Sequence, residues 1–474
     1  MAGGLGIMGT MEMARNAMRT ARAGAEVSGN NLANASNPIY ARQRIKINSA
    51  ITIPTEKGPQ GSGAEVARME QVRDKVLDKS LISEKSVTQY FQAKQLFLRR
   101  AEASLGQTVD SQTIDAGGAY GTYGLAEGMT ELFNSFQSLS VSPTSTAERQ
   151  TVIFNAQKVA DKFNTVDRRL SDLRTAINDE VQDVIKDVNS KLKELAYTAV
   201  NIGNIESVEG AANEVRDSLQ ASMEQLSEYV NISTTTSEDG ELNVFVDGVQ
   251  MITENVLTNS VKLHTDGDGM YYLADNTSGN VFSLKSGYLK GMIDARDVSI
   301  KDLRTNISAI AEELITEVNS LHQTGYDLYG TNDNTAGLFT GTNGSNMGVN
   351  ASIISDPRKL QGSSSATEVS NNDVLRSIAA LSTKTITNLS GMTFSENYGN
   401  TVSRFGQDLA LATSQLNDQQ TVQKMLEKQR ESIMGVSVDE EVANLVIYQR
   451  AFQASARLLS TMDDLMQDVL NMTR

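Results

Sequence analysis

The sequence predicts a mainly α, multidomain protein of the α+β class with a small β insert. Apolar residues recur at steps of three and four over long stretches at both ends of the chain, which is typical of packed helices. Short alternating runs with Asp-Gly turns occupy the middle and indicate strands. Because the chain has 474 residues and only 5 prolines, we expect several domains built on long helices. The expected architecture is a long antiparallel helical rod with terminal coiled-coil helices and a small antiparallel β domain.

The first helix is predicted over residues 5–32. It ends at an Asn-rich segment followed by Pro38, which cannot continue a helix. A short β run follows over 43–53, where isoleucines alternate with polar residues. The helix carries one stripe of apolar and small residues, formed by Ile7, Met11, Ala14, Met18, Ala21, Ala25 and Ser28.

Three more helical regions are predicted in the first half of the chain, over 66–105, 156–195 and 215–230. A Gly-rich loop over 115–128 separates the first two. The stripe over 156–195 has no polar interruption and predicts a helix about 60 Å long. Its steps relax from heptads toward an eleven-residue repeat, so strong left-handed supercoiling is not expected there.

The middle of the chain, 231–286, is predicted to be a small antiparallel β insert with Asp-Gly turns at 239–240 and 247–248. Further along, the sequence predicts a helix over 289–322, a Gly/Asn/Thr loop over 325–347, a short helix over 374–381, and a long helical pair over 402–433 and from 438 onward, with Gly435 at the joint. Because the chain leaves and returns as helix, we expect its two halves to pack antiparallel, with the insert at the far tip.

The last helix carries a second stripe of the same period, formed by Leu445, Tyr448, Phe452, Ser455, Leu459, Met462, Met466 and Val469. Ser437 is its expected N-cap, and the acidic residues 439–441 lie in the first turn, where the helix dipole favours them. An amphipathic helix usually packs on its own core, so periodicity alone leaves packing within the chain and between subunits equally open. Matching stripes at opposite ends of the chain favour packing between subunits.

Composition excludes several classes of function. The net charge of −16 argues against nucleic acid as a partner, because phosphate binding needs a basic surface. The absence of cysteine excludes disulfides, thiolate nucleophiles and Cys-ligated metals. No run of 18 apolar residues occurs, so we expect no membrane insertion, and the N-terminal sequence lacks the pattern of a cleavable signal peptide. On these rules alone the chain would be cytoplasmic.

No motif predicts catalysis, a metal site or a cofactor. The two histidines, His264 and His322, stand alone, without the second ligand or HExxH pattern that a zinc site needs. Asp266 and Asp268 resemble part of a calcium loop, but Met270 occupies the place of a third ligand, which favours a hairpin turn. We therefore expect no enzyme and no cofactor.

One segment resembles a signature of flagellar axial proteins. Residues 30–45, NNLANASNPIYARQRI, resemble the motif shared by rod, hook and hook-associated proteins of the bacterial flagellum. Ile39 and Ala41 stand where this family commonly has Gly and Ser. The matching positions are Asn31, Leu32, Ala33, Asn34, Tyr40, Arg42 and Gln43.

Three further blocks resemble the hook–filament junction members of this family. They are SGYLKGMIDARD over 286–297, VNSLHQTGYDLYG over 318–330, and the last helix from Gly435 to Leu470. The second block is not general among hook and rod proteins, so a hook or rod axial subunit is the weaker alternative. A remote alternative is a flagellar scaffold whose insert carries an enzymatic or adhesive activity.

The resemblance implies a structural protein of the flagellum that is exported by the flagellar type III apparatus and located outside the cell. It implies self-association in the flagellar axis, contacts with hook protein and with a second hook–filament junction protein, and an export chaperone on the C-terminal helix. Terminal segments of such proteins tend to fold on polymerisation. We expect an inner axial domain of residues 1–48 and 436–474, a helical rod domain of 49–230 and 286–435 that includes the loop near 325–347, and an outer β domain of 231–285.

The expected assembly interface combines the two terminal stripes with the Asn-rich signature. The small residues of the first helix suit close packing near a channel wall, whereas Tyr448 and Phe452 supply apolar surface for neighbours. The interface is predicted to contain Ile7, Met11, Met18, Asn31, Leu32, Asn34, Tyr40, Leu445, Tyr448, Phe452, Leu459, Met462, Met466 and Val469.

Overall fold

The structure is a computed structural model that describes residues 6–55, 58–106, 124–208, 211–237 and 240–472. Within these ranges the helices are α1 (Gly6–Ala33), α2 (Lys75–Ser104), α3 (Leu125–Val141), α4 (Thr146–Glu206), α5 (Asn213–Tyr229), α6 (Tyr288–Asp294), α7 (Ile300–His322), α8 (Ala351–Ser355), α9 (Asp373–Ala380), α10 (Phe394–Met434) and α11 (Val438–Met472). The strands are β1 (Gln43–Ser49), β2 (Thr52–Thr55), β3 (Gly58–Gly61), β4 (Ala64–Gln71), β5 (Ile232–Thr236), β6 (Leu242–Val246), β7 (Val249–Thr253), β8 (Val256–Leu257), β9 (Val261–Thr265), β10 (Tyr271–Asp275), β11 (Phe339–Thr340) and β12 (Gly348–Val349). Long helices with small antiparallel sheets confirm the predicted mainly α class.

The longest helix, α4, runs the length of the helical rod. It has 61 residues and is therefore about 90 Å long, beginning before and ending after the predicted stretch of 156–195. The Oγ of Ser145 accepts the N–H of Glu148 and caps its start. The buried stripe continues beyond the predicted one in both directions, through Val152 and Ile202.

The outgoing and returning halves of the chain pack antiparallel around α4. Gln95 of α2 donates from Nε2 to Oγ1 of Thr413 in α10 at 3.1 Å. The opposite ends of these two helices meet at α5, where Lys85 and Arg430 both pair with Glu224. One continuous apolar core extends from Ile82 on α2 to Ala412 on α10, and among the described residues it includes none from α1 or α11.

The β insert lies along the side of α4, so the expectation that it hangs at the far tip is wrong. Strands β5–β8 form a four-stranded antiparallel meander, and β9 pairs with β10. Asn189, in the second half of α4, binds the backbone of Val261 at the start of β9. The reason is the length of α5, whose 17 residues carry the chain back only about 25 Å along α4. Lys191 and Gln225 are accordingly hydrogen-bonded, and the insert starts beside the middle of the rod.

The insert begins and ends at one crossing of the backbone. Gly287 has φ +96°, and a Cβ there would lie 2.5 Å from the carbonyl oxygen of Tyr229. Only glycine adopts this conformation and tolerates this approach without strain. The Gly287 N–H donates to the carbonyl of Ser86, which fixes the crossing on α2.

The predicted helix over 66–105 begins only at Lys75, so its first part was wrong. Residues 64–71 are β4, which pairs with β1 and places Val66 opposite Ile47 and Met69 opposite Ile45. Val66 and Met69 are three residues apart and imitate a helical step, but strand pairing overrides that local pattern. The helix starts where the Asp74 carboxylate caps it. The expected domain boundary at residue 48 falls inside β1, which continues to Ser49.

Part of the predicted Gly-rich loop over 115–128 is helical. Residues 125–128 are the first turn of α3, because Leu125 and Met129 are buried in the core of the rod. The prediction for residues 115–123 lies outside the described residues.

A π-helical turn at Ala295–Ser299 interrupts the helix predicted over 289–322. Arg296 in this turn is fully buried, and its Nη1 donates to Oδ1 of Asn178 at 2.8 Å and to the carbonyl of Tyr271 at 3.1 Å. The wider turn directs this side chain between α4 and the insert. The helical period of the sequence contains no signal for it.

No helix in the described part of the chain is long and apolar enough to cross a membrane. The described side chains also contain no group of three or more His, Asp or Glu residues that could hold a metal ion. Asp266 closes the predicted hairpin turn, since its Oδ1 accepts the N–H groups of Asp268 and Met270. His322 is buried, and its Nε2 accepts the N–H of Gln361 at 3.1 Å.

Candidate assembly interface

α1 and α11 form an antiparallel helical pair. The two helices approach closely at Gly24, where a Cβ would lie 2.5 Å from the Tyr448 ring, so only glycine allows the ring to rest on the α1 backbone. The C-terminal end of α1 lies beside the start of α11, because Ser28 and Glu441 line the same groove. The pair therefore makes one seam of an antiparallel coiled coil within the chain.

Many apolar side chains of α11 remain exposed. Of its 35 residues, only Glu441 is buried. Large apolar side chains face solvent along the helix, with 59% of Ile447, 44% of Val442 and 44% of Leu465 exposed. Contiguous exposed apolar surface of this kind marks an interaction site.

The other side of α1 rests on the β1–β4 ribbon. Thr20 donates from Oγ1 to the carbonyl of Ala64 at 3.2 Å. Asn31 is buried and binds both backbone groups of Gln43, since its Nδ2 donates to the carbonyl and its Oδ1 accepts the N–H, each at 2.9 Å. The same Oδ1 accepts the hydroxyl of Tyr40 at 2.8 Å. These residues of the Asn-rich signature fix the turn from α1 into β1.

Arg42 ties the start of α11 to the ribbon. Its Nη2 lies 2.7 Å from Oε1 of Glu441, and its Nη1 lies 2.9 Å from Oε2 of Glu440. Its backbone N–H donates to the carbonyl of Met434 at the end of α10, and its carbonyl accepts the N–H of Val72. The Glu441 side chain is only 2% exposed, so Arg42 is the cation that pairs with this buried carboxylate.

A buried carboxylate on α5 connects the terminal unit (residues 6–71 and 438–472) to the helical rod. Asp217 accepts the backbone N–H of Ala41 at 3.2 Å, Nε2 of Gln71 at 2.8 Å and Nη2 of Arg73 at 2.9 Å. Burial raises the pKa of Asp217 above its usual range in spite of these donors. Burial, together with the Asp217 carboxylate, also raises the pKa of Tyr40, so its hydroxyl stays protonated and donates to Asn31.

A second buried carboxylate, Glu224, binds α5 to α2 and α10. It pairs with Nζ of Lys85 at 2.8 Å and with Nη1 of Arg430 at 2.6 Å. Burial alone would raise the pKa of Glu224, but Lys85 and Arg430 outweigh that effect and hold it below its usual range. Glu224 thus holds helices of the rod together, whereas Asp217 makes the junction with the terminal unit.

The predicted interface residues lie in three environments. Asn31 and Tyr40 are buried inside the chain, and Phe452 and Val469 are exposed by 38% and 47%. The others are half-buried along the α1–α11 pair and at the end of α1: Ile7, Met11, Met18, Leu32, Asn34, Leu445, Tyr448, Leu459, Met462 and Met466. Much of the α11 stripe is therefore in contact with α1 of the same chain.

The predicted interface did not include Gly24, Arg42 or Asp217. Gly24 is a glycine inside a predicted helix, next to Ala25 of the stripe, and such a glycine is a signal for close packing. Arg42 lies inside the Asn-rich signature, but nothing local predicts that its partner is 399 positions away. Asp217 has no sequence signal, because its donors come from a distant turn and strand.

Two family models match the chain. Residues 112–339 match the helical domain of the flagellar hook-associated protein FlgK. Residues 421–472, which contain α11, match the C-terminal region of the flagellar basal body rod proteins FlgEFG.

Relatives with known names agree with these matches. Flagellar hook-associated protein 1 of Bacillus subtilis is 25% identical over 507 aligned residues, which cover 97% of each chain. The protein of the same name from Salmonella typhimurium is 20% identical and covers 97% of this chain and 98% of its own. The solved flagellar hook junction protein FlgK of Burkholderia pseudomallei is 18% identical with a TM-score of 0.48, over 55% of this chain and 46% of that one. Over nearly its whole length the chain is thus similar to flagellar hook-associated protein 1, and its middle matches the helical domain of the hook-associated protein FlgK.

Proposed function

We propose that the chain assembles into the flagellar axis through α1 and α11 and there joins the hook to the filament. One observation carries this proposal: α11 is a helix of 35 residues with a single buried residue, Glu441. Its partner α1 covers one seam, and the rest of its apolar surface becomes buried only when neighbouring subunits pack against it. The predicted interface residues on α1 and α11 belong to this proposal.

The proposed partners are other copies of the chain, hook protein on one side and a second hook–filament junction protein on the other. We further propose export through the flagellar type III apparatus, with an export chaperone that covers α11 before assembly. The exposed side chains Ile447 and Leu465 support a chaperone, since such surface promotes aggregation in a free chain. The proposed role is structural and non-enzymatic, in keeping with a family of structural flagellar proteins.

A hook or rod subunit is not favoured. The FlgK helical-domain match covers the middle of the chain, where α4, α5 and the β insert lie. The match to rod proteins is confined to residues 421–472, the helical segment that different axial proteins share.

Deletion of residues 441–474 tests the proposal in flagellated cells that lack their own copy of the gene. The truncated chain keeps the core of the rod, so it should remain folded by circular dichroism but fail to hold filaments on the hook. Full-length protein serves as the control, and filament protein shed into the medium is the readout. Normal filament attachment with the truncated chain would refute an assembly role for α11.

A further inference from the structure

α11 carries a second apolar seam beside the one that faces α1. Each residue of this second seam comes one position before a residue of the stripe that runs from Leu445 to Val469. The second seam therefore lies about 100° around the helix axis from that stripe. The positions that come one residue after the stripe residues lie on the opposite flank. They are mostly polar, among them Gln449, Gln453 and Ser460. We define the second seam as Ile447, Ala451, Ala454, Leu458 and Leu465.

Four of the five residues of the second seam are exposed, and Leu458 is half-buried. Ile447 and Leu465 are 59% and 44% exposed, and Ala451 and Ala454 also face solvent. The two alanines in its middle leave room for another helix to approach closely. The asymmetry between the two flanks indicates that one particular flank of α11 receives a partner.

Charges beside the second seam change sign along α11. Arg450 and Arg457 lie in the first half of the outer face, and Asp464 and Asp468 lie in the second half. The Arg457, Asp464 and Asp468 side chains form no ion pair with any other described residue of the chain. Complementary charges are therefore left for a partner.

The exposed face of α1 carries a matching pattern. Its charged residues are Glu12, Arg15, Arg19, Arg22 and Glu26. Arg15 pairs with Glu12 and Arg22 pairs with Glu26, whereas Arg19 has no ion pair among the described residues. Three arginines in a row, with a glutamate at each end, form a basic band that suits an acidic surface.

Charge complementarity selects one axial register between this face and α11. In an antiparallel helix pair the residue numbers of facing positions have a constant sum, which defines the register. Inside the chain Gly24 lies opposite Tyr448, so this sum is 472. In that register a second α1 would place Arg15 opposite Arg457 and Arg22 opposite Arg450, which repel. A shift of 11 residues, to a sum of 483, instead pairs Arg19 with Asp464, Arg15 with Asp468 and Glu26 with Arg457.

We propose that the second seam of α11 receives the exposed face of α1 from a neighbouring copy of the chain, antiparallel and displaced by 11 residues, about 16 Å along the axis. This inference rests on the proposed function and specifies the helix face and the register of one contact between subunits in the assembled axis. Two different surfaces meet, so the contact is heterologous and can propagate from copy to copy. The apolar seam supplies contact area, and the three ion pairs select the register.

Cross-linking tests the register, because the chain contains no cysteine to interfere. A full-length chain with Arg19→Cys and Asp464→Cys should form disulfide-linked multimers in isolated flagella but not as a monomer. Within one chain the two positions lie on outward faces and are separated by 11 residues of axial register. The control chain with Arg19→Cys and Gln453→Cys represents the unshifted register and should remain uncross-linked. Multimers formed by the control chain would overturn the proposal. The absence of multimers from both chains would overturn it as well.

Charge exchange tests the same contact without cysteine. Asp464→Arg with Asp468→Arg, or Arg15→Glu with Arg19→Glu, should reduce incorporation into flagella at least tenfold. The chain with all four substitutions should recover it, since the two substituted ion pairs then have their charges exchanged and the Glu26–Arg457 pair is kept. Gln453→Arg with Gln467→Arg places the same number of arginines on the polar flank of α11 and should leave incorporation unchanged.

The two levels of the proposal fail in different ways. All these positions are exposed, so thermal unfolding of the monomers should match that of the unsubstituted chain. If the unsubstituted chain does not hold filaments on the hook, the proposed function fails. If it does, and the fourfold variant stays inactive, only the inferred contact between α1 and α11 fails.

Discussion

At the scale of single residues, asparagines on helices hold extended segments by imitating a neighbouring strand. In each case Nδ2 donates to the carbonyl, and Oδ1 accepts the N–H, of one backbone residue. One amide thus satisfies two backbone groups that a strand at the edge of a sheet would leave unpaired. The pairs are Asn31 with Gln43, Asn189 with Val261, and Asn319 with Phe339.

Asn31→Ala should destabilise the terminal unit by about 2–4 kcal/mol, because it leaves the N–H and carbonyl of Gln43 and the hydroxyl of Tyr40 without this partner. Denaturant unfolding and hydrogen exchange at the Gln43 amide measure the effect. Asn34→Ala, which removes a side-chain bond to the local residue Asn30, is the control and should cost less than about 1 kcal/mol. Equal losses for the two variants would contradict the assigned role of Asn31.

His322 makes stability depend on pH in mildly acidic solution. Burial lowers the pKa of His322 to about 4, whereas an unfolded histidine titrates near 6.5. The unfolded chain therefore takes up a proton first, and stability is full above pH 6.5. It should be lost as the pH falls from about 6.5 to about 4, by up to about 3 kcal/mol.

Urea unfolding between pH 7 and pH 4 measures this dependence. His322→Gln should remove that part of the slope, because the glutamine does not titrate. His264→Gln, at an exposed position on β9, should leave the slope as it is. A slope that persists in the His322 variant would assign the dependence to other groups.

At the scale of elements, the helices were predicted well where one apolar stripe runs along their whole length. α1, α4, α5 and α11 owe their existence to uninterrupted stripes, so their positions follow from the helical period alone. Strand β4 and the π-helical turn at Ala295–Ser299 were not predictable, because their conformations depend on partners distant in sequence. The insert was recognised as β, but its position required the observed length of α5.

Gly24→Ala should weaken the α1–α11 pair by about 1–3 kcal/mol, because the new methyl group meets the Tyr448 ring. Gly29→Ala in the same helix is a matched control, since a Cβ there has no atom within 4 Å. Helix propensity predicts that the control is neutral or stabilising by up to about 1 kcal/mol. Hydrogen exchange of the α11 amides compares the two, and equal protection would exclude close packing at Gly24.

Arg42→Ala should destabilise the start of α11 by about 3–5 kcal/mol, because Glu441 keeps a buried charge without its partner. Adding Glu441→Gln to that variant removes the charge and should restore part of the loss. Glu440→Ala is the control, since its side chain is 62% exposed, and should cost at most about 1 kcal/mol. Thermal unfolding followed by circular dichroism compares the stability of the variants. A larger loss of stability from Glu440→Ala than from Arg42→Ala would contradict the prediction.

At the scale of the whole molecule, the terminal unit and the helical rod are two structures with a polar junction. The apolar core stops short of α1 and α11, and Asp217 makes the connection by accepting hydrogen bonds from Ala41 and Gln71 of the terminal unit. The interface predicted from the sequence included both residues that make contacts inside the chain and residues on its exposed surface. Asn31 and Tyr40 were recognised by their motif, but their internal contacts depend on the folded turn.

Equilibrium unfolding of the monomer should therefore show two transitions. The terminal unit should open first, because α11 buries little of its own surface, and the rod should follow as one cooperative unit. Hydrogen exchange with mass spectrometry would show α1 and α11 unprotected at denaturant concentrations where α4 is still protected. A single transition with equal protection everywhere would mean that the polar junction couples the two parts fully.

The pairing of Gly24 with Tyr448 joins positions 424 residues apart, and this distance acts as a completion check. α1 emerges first from the ribosome or an export channel, but it can find its partner only after nearly all the rest of the chain has followed. A product that stops before residue 438 can still form much of the rod, yet it lacks the helix that α1 requires. Under the proposed assembly, unfinished chains are therefore expected not to enter the polymer, without any separate proofreading factor.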